Sequence, residues 1–183
     1  MGITKRTYVV VGVSFVLFCF VVYGVYYAYT SPVGLKARLN SDIRTLNEPE
    51  KAMYTTLSGE PVTIEAQGDA VLVVNIWASW SPYSSADFTV LRALKEKFGD
   101  QVRIIALNRM ESGAIVEAYL ASIAAHEGIE YLLDSTDYFF KTTDGYAMPE
   151  TVIFDDIGNV VFHLRGAANE NELSTVIGEL LYK

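Results

Sequence analysis

From Tyr8 to Tyr29 the chain carries no charged residue. As a helix with about 1.5 Å of rise per residue, this stretch reaches roughly 33 Å. A bilayer's hydrocarbon core is about 30 Å thick, so the segment is long enough to span it. It is apolar on all sides, which suits lipid better than a half-buried surface. Tyr23, Tyr26, Tyr27 and Tyr29 gather at its C-terminal end, as an interfacial aromatic belt does. A cleaved leader has a shorter apolar core, about 7–15 residues, and a small-x-small cleavage site. The bulky tyrosines around Ala28 do not supply one, so the expectation is an uncleaved anchor. Lys5 and Arg6 lie closer to the span than Lys36 and Arg38 do. That places the N-terminus in the cytoplasm and the remainder outside it. The expected organisation is a short cytoplasmic N-terminus (1–7), a transmembrane helix (8–29), a linker (30–53) and a folded domain (54–183).

The single cysteine, Cys19, falls inside the apolar run. One sulfur cannot form an internal disulfide, and a structural Cys-zinc site needs more thiolates than one. Hydrocarbon disfavours the thiolate, so Cys19 reads as an apolar filler. With His126 and His163 as the only histidines, no metal and no cofactor is expected. Residues 1–50 carry a net charge of +2, whereas residues 51–183 hold nine basic and nineteen acidic residues, a net of -10. Such a domain repels phosphate backbones, so nucleic acid is not an expected partner.

After the linker the pattern becomes regular. Leu57-Ser58-Gly59-Glu60-Pro61-Val62 reads as a hairpin. Val71–Ile76 is a nearly unbroken apolar run, as in a strand buried on both faces. Ser81 and Pro82 read as a helix cap and first helical residue. Phe88, Leu91, Leu94 and Phe98 follow at helical spacing until Gly99. A buried strand over Val102–Leu107 precedes a helix over Ala114–Ala125, with Ile115, Tyr119, Leu120 and Ile123 expected on one face. Tyr131–Leu133 is a strand candidate and Tyr138–Thr142 a short helix. Thr151–Phe154 and Val160–Leu164 flank a turn containing Gly158, and Glu170–Leu181 is an amphipathic terminal helix. Strands and helices in this order make an α/β sandwich, and the late hairpin adds antiparallel strands to a sheet that starts parallel.

Asn75-Ile76-Trp77-Ala78-Ser79-Trp80-Ser81-Pro82-Tyr83-Ser84 resembles the thioredoxin superfamily, most closely the membrane-anchored TlpA/ResA/DsbE-type thioredoxins. That branch reads roughly N-F-W-A-T-W-C-x-x-C at the end of its central strand. Asn75, the paired Trp77 and Trp80, and Asp87 in place of a common glutamate fit it. So does Ala147-Met148-Pro149-Glu150-Thr151-Val152-Ile153-Phe154, which is similar to the family segment whose proline is cis and faces the redox motif. The resemblance runs from about Tyr54 to the C-terminus and implies a thioredoxin-like fold: a mixed central sheet flanked by helices.

Ser81 and Ser84 occupy the positions of the two family cysteines. Dithiol exchange needs a thiolate at the helix start and a second thiol to resolve the mixed disulfide. A hydroxyl ionises far too weakly and makes no stable bond to sulfur, so Ser81, Pro82, Tyr83 and Ser84 form a degenerate redox motif with no catalytic residue. Hydrolysis at Ser81 would need a neighbouring base. No G-x-S-x-G elbow is present. His126 is expected at the end of the second helix and His163 on the solvent face of an edge strand. Asp87 reads as a favourable negative charge in the first helical turn. Thr89 stands where relatives often carry a kinking proline, which predicts a straighter helix.

What the resemblance leaves is contact. The residue before a cis-proline in this fold offers its backbone to an extended peptide, a form of strand addition. Trp80, Pro82, Tyr83 and Met148 would make an apolar rim beside Pro149. The expected function is a membrane-anchored, redox-inactive protein that binds or scaffolds other proteins outside the cytoplasm. Two alternatives stand beside it: a thiol-disulfide oxidoreductase whose cysteines have been replaced by serine, and an accessory subunit of a larger membrane complex.

Overall fold

The computed structural model describes residues 22–23, 54–66, 68, 70–123 and 125–182. The chain divides into two compact units, Met1–Arg38 and Leu39–Lys183. In the first, Val22 and Tyr23 are helical and exposed. The rest of the expected span, the N-terminus before it and the linker lie outside the described residues. Among the described residues no helix is long and apolar enough to cross a membrane.

The second unit is built on β1 (Tyr54–Thr56), β2 (Pro61–Val62), β3 (Val71–Trp77), β4 (Val102–Arg109), β5 (Glu130–Asp134), β6 (Glu150–Phe154) and β7 (Val160–Arg165). Among the described residues four α-helices accompany it: α1 (Ser84–Phe98), α2 (Gly113–Ser122), α3 (Tyr138–Thr142) and α4 (Glu170–Leu181). The seven strands form one sheet in the order β2-β1-β5-β4-β3-β6-β7. β3–β4 and β4–β5 pair parallel; β1–β2, β1–β5, β3–β6 and β6–β7 pair antiparallel. The expected mixture of a parallel start and an antiparallel finish is present.

β3 explains the layering. All seven of its residues are buried, and side chains alternate between the faces of a strand. Val71, Val73 and Trp77 enter a core with Phe88, Leu91 and Leu94 of α1, Val116 and Leu120 of α2, and Leu173 and Ile177 of α4. Leu72, Val74 and Ile76 enter a second core with Phe139 and Phe140 of α3. Each fully buried aliphatic chain contributes about 1.5–3 kcal/mol, so helices on both faces are what a strand of this composition needs. Asn75 shares the face of Val73 and Trp77, which aims its amide towards α1.

Gly158 (φ 83°) sits in the β6–β7 turn, where a side chain would be strained. Asp155 holds that turn by accepting from the Asn159 N–H (2.6 Å) and the Asn159 amide (2.8 Å).

Three local expectations are corrected. α1 begins at Ser84, with Tyr83 before it in helical backbone geometry and no side-chain cap. Ser81 therefore is not the helix cap. Its hydroxyl is drawn to a distant carbonyl, and only a long 3.5 Å contact joins it to the Tyr83 N–H. On α2 the expected Leu120 is buried and Tyr119 and Ile123 pack against the first core, but Ile115 is half exposed and Val116 is buried in its stead. His163 is not solvent-facing: its side chain is 7% exposed and bonded to Glu150. α1 does run unbroken through Thr89, whose hydroxyl donates to the Ser85 carbonyl (3.3 Å).

Candidate functional site

The C-terminal end of β3 delivers the turn Ala78–Tyr83, and the N-terminal end of its neighbour β6 delivers Met148-Pro149. The Met148–Pro149 peptide bond is cis. The two segments meet where the Ser81 hydroxyl donates to the Met148 carbonyl at 3.2 Å. Ser84 is fully buried and donates to the Ala78 carbonyl at 2.8 Å, closing the turn on itself. Both hydroxyls are thus spent on backbone acceptors. No base is hydrogen-bonded to either among the described residues.

Of the residues expected to form a rim, Trp80 (63% exposed), Pro82 and Tyr83 (56%) are exposed. Met148 is half-buried against the second core, and Pro149 is buried. Tyr146, which sequence reasoning did not single out, is 79% exposed, with the Arg165 guanidinium 5.2 Å from its ring centre. A large exposed aromatic thus lies on each of the two segments that meet at the cis-proline.

Two carboxylates brace these segments. Glu111, in the loop after β4, accepts from the Ser79 N–H (2.6 Å), the Ser79 hydroxyl (2.5 Å) and the Asn108 amide (2.7 Å). Burial pushes its pKa up, but the Asn108 and Ser79 bonds outweigh it and hold Glu111 below the usual carboxylate range. Glu150 is fully buried. One of its oxygens accepts from the Tyr146 N–H (2.8 Å) and the Ala147 N–H (2.7 Å). The other lies 2.7 Å from His163 Nε2. Burial again pushes upward, and the His163 contact with the two amides brings Glu150 below its ordinary value.

A third carboxylate lies beneath the turn. Asp87 accepts from the Asn75 amide (2.9 Å) and from the Ala168 N–H (2.9 Å). The Asn75 amide also donates to the Thr151 hydroxyl at 3.0 Å. Asp87 is 1% exposed, and burial raises its pKa despite those two bonds. It is more than a surface charge at a helix start: it ties β3, α1 and the approach to α4 together under the motif.

Sequence reasoning missed Glu111, Glu150 and His163. A signal existed for Glu150, the charged residue opening the otherwise apolar run Thr151-Val152-Ile153-Phe154. None existed for Glu111, whose partners come together only through the β3–β4 pairing. His126 lies in the loop after α2, and its Nδ1 accepts from the Gly128 N–H (3.1 Å). Among the described residues no group of histidine, cysteine and acidic side chains could hold a metal ion.

This arrangement, a turn at the end of the central strand facing a cis-proline, coincides with a family assignment. Residues 42–177 match the model of the family described as Redoxin. The chain belongs to the Redoxin family. Within the thioredoxin superfamily this Redoxin-family chain is DsbE/TlpA-like. It is 29% identical over 141 residues to the thiol:disulfide interchange protein DsbE of Haemophilus influenzae, covering 68% of this chain and 74% of that one. Solved structures share the fold. A putative thiol:disulfide interchange protein DsbE from Chlorobium tepidum superposes with a TM-score of 0.62 at 18% identity, covering 70% of this chain and 92% of that chain. A thioredoxin-like protein from Aeropyrum pernix gives 0.62 at 17% identity, covering 76% and 96%.

Proposed function

We propose that this Redoxin-family protein is a membrane-anchored, redox-inactive member that binds extended segments of other proteins outside the cytoplasm. Residues 8–29 are the anchor in lipid, with the N-terminus cytoplasmic. The observation that carries the reading is the pairing of Ser81 and Ser84 at the motif positions with a cis Met148–Pro149 bond beside them. Interchange of the kind named for the Haemophilus influenzae relative requires sulfur at those positions. Serine supplies none, and the remaining cysteine, Cys19, belongs to the anchor. Strand addition requires only backbone groups and flanking anchors. Trp80, Tyr83 and Met148 are anchors of suitable chemistry: flat aromatic surface and an adaptable thioether.

The test is affinity capture from membranes with the full chain, comparing wild type with Tyr83→Ala and Met148→Asp. The reading expects at least one captured protein to be lost from both variants, with the melting temperature held in Tyr83→Ala, whose ring is exposed. Retention of every captured protein by both variants contradicts it.

A further inference from the structure

We propose that His163 is a positioning residue for the groove: it holds Glu150 where that carboxylate grips the Tyr146 and Ala147 amides, and so fixes the Met148 backbone. The functional meaning rests on the groove reading above, while the latch itself rests on geometry.

The residues are brought together by sheet register. Glu150 of β6 lies opposite Arg165 of β7, and Val152 lies opposite His163. His163 is therefore the diagonal same-face neighbour of Glu150, within reach of a long side chain. Both side chains are nearly sealed from water, at 7% and 0% exposure. A buried carboxylate is tolerated only when its oxygens are satisfied. Two backbone amides occupy one oxygen, and the imidazole serves the other.

The nearby guanidiniums are directed elsewhere. Arg109 is bonded through two nitrogens to Asp137 and lies 3.8 Å from the centre of the Phe140 ring. Arg165 lies over Tyr146. Among the described residues, His163 is the side chain hydrogen-bonded to the Glu150 carboxylate.

Glu150 in turn constrains the groove. Ala147 is the residue immediately before Met148, and its N–H is held. On the far side the Pro149 carbonyl accepts from the Gly166 N–H at 2.9 Å. Met148 is thus suspended between two fixed points, and the Ser81 hydroxyl engages its carbonyl. Removing the His163 donor leaves one carboxylate oxygen buried and unpaired, which favours rotation of the carboxylate or entry of water. Either weakens the grip on Tyr146 and Ala147.

The test is amide hydrogen exchange of the full chain in detergent micelles, read at residue level. His163→Phe should speed exchange of the Tyr146 and Ala147 amides by about tenfold or more. His163→Gln, which restores a side-chain N–H donor, should stay within about threefold of wild type. The β3 amides should speed by less than the Tyr146 and Ala147 amides in His163→Phe. Unchanged Tyr146 and Ala147 rates in His163→Phe overturn the proposal. So does an equal acceleration in β3, which marks a general loss of stability, or a His163→Gln variant as fast as His163→Phe.

A measurement on wild type covers the case of a variant that does not fold. Imidazole nitrogen spectra should show His163 Nε2 carrying a proton; a bare Nε2 overturns the proposal, since two acceptors cannot bond. A groove that captures no partner alters neither the exchange rates nor the tautomer, so the two readings fail separately.

Discussion

The Ser81 hydroxyl donates to the Met148 carbonyl at 3.2 Å, joining two segments 67 residues apart in sequence. The Ser81 hydroxyl is engaged in this bond. That bond holds the turn after β3 against the cis-proline segment.

Ser81→Ala removes this bond and leaves the Met148 carbonyl without that donor. A cost of about 1 kcal/mol is expected. Urea unfolding of the full chain in detergent should show a lower midpoint with an unchanged slope.

Gly145→Ala should be more damaging. A Cβ at Gly145 would overlap the ring of Phe140, which is 8% exposed and packed in the second core. Overpacking of this kind costs about 1–3 kcal/mol. Gly145 immediately precedes Tyr146, so the capture of groove-dependent partners should fall along with the melting temperature.

Glu150 and Asp87 give stability opposite pH dependences. Glu150 lies below its ordinary value in the fold, so its contribution is present above that ordinary value. It is lost as pH falls through the lowered one. Asp87 is raised; its contribution is present below the ordinary value and lost as pH rises through the raised one. Denaturation followed against pH should therefore show a shallower acid limb in Glu150→Gln. Asp87→Asn should flatten the decline above the ordinary carboxylate range.

Trp80→Ala and Tyr83→Ala remove exposed rings. Neither should change stability by more than about 0.5 kcal/mol. Both should reduce captured protein, which separates a contact surface from a structural one.

The fold was largely legible in the sequence because its elements are locally consistent. The apolar run of β3, the glycine turns and the periodic face of α4 each encode their own structure, and Glu170–Leu181 is found with the expected bounds. What was not legible depends on partners distant in the chain. The first helix was expected to start at Ser81, but Met148 competes for that hydroxyl. His163 was expected to face water because alternation on an edge strand places polar groups outward. Its burial depends on Glu150 lying diagonally opposite, a fact of register that no local pattern encodes. Trp80, Tyr83, Met148 and Pro149 were legible only through the paired motifs, and Tyr146 and Glu111 belonged to neither motif.

The central claim is that this frame works by contact and not through sulfur. Its most direct measurement is the rate of thiol-disulfide exchange by the full chain on a disulfide-bonded protein substrate, beside the Ser81→Cys/Ser84→Cys double variant. The account predicts that wild type does not exceed the uncatalysed background while the double variant does. Catalysis by wild type above background would contradict it.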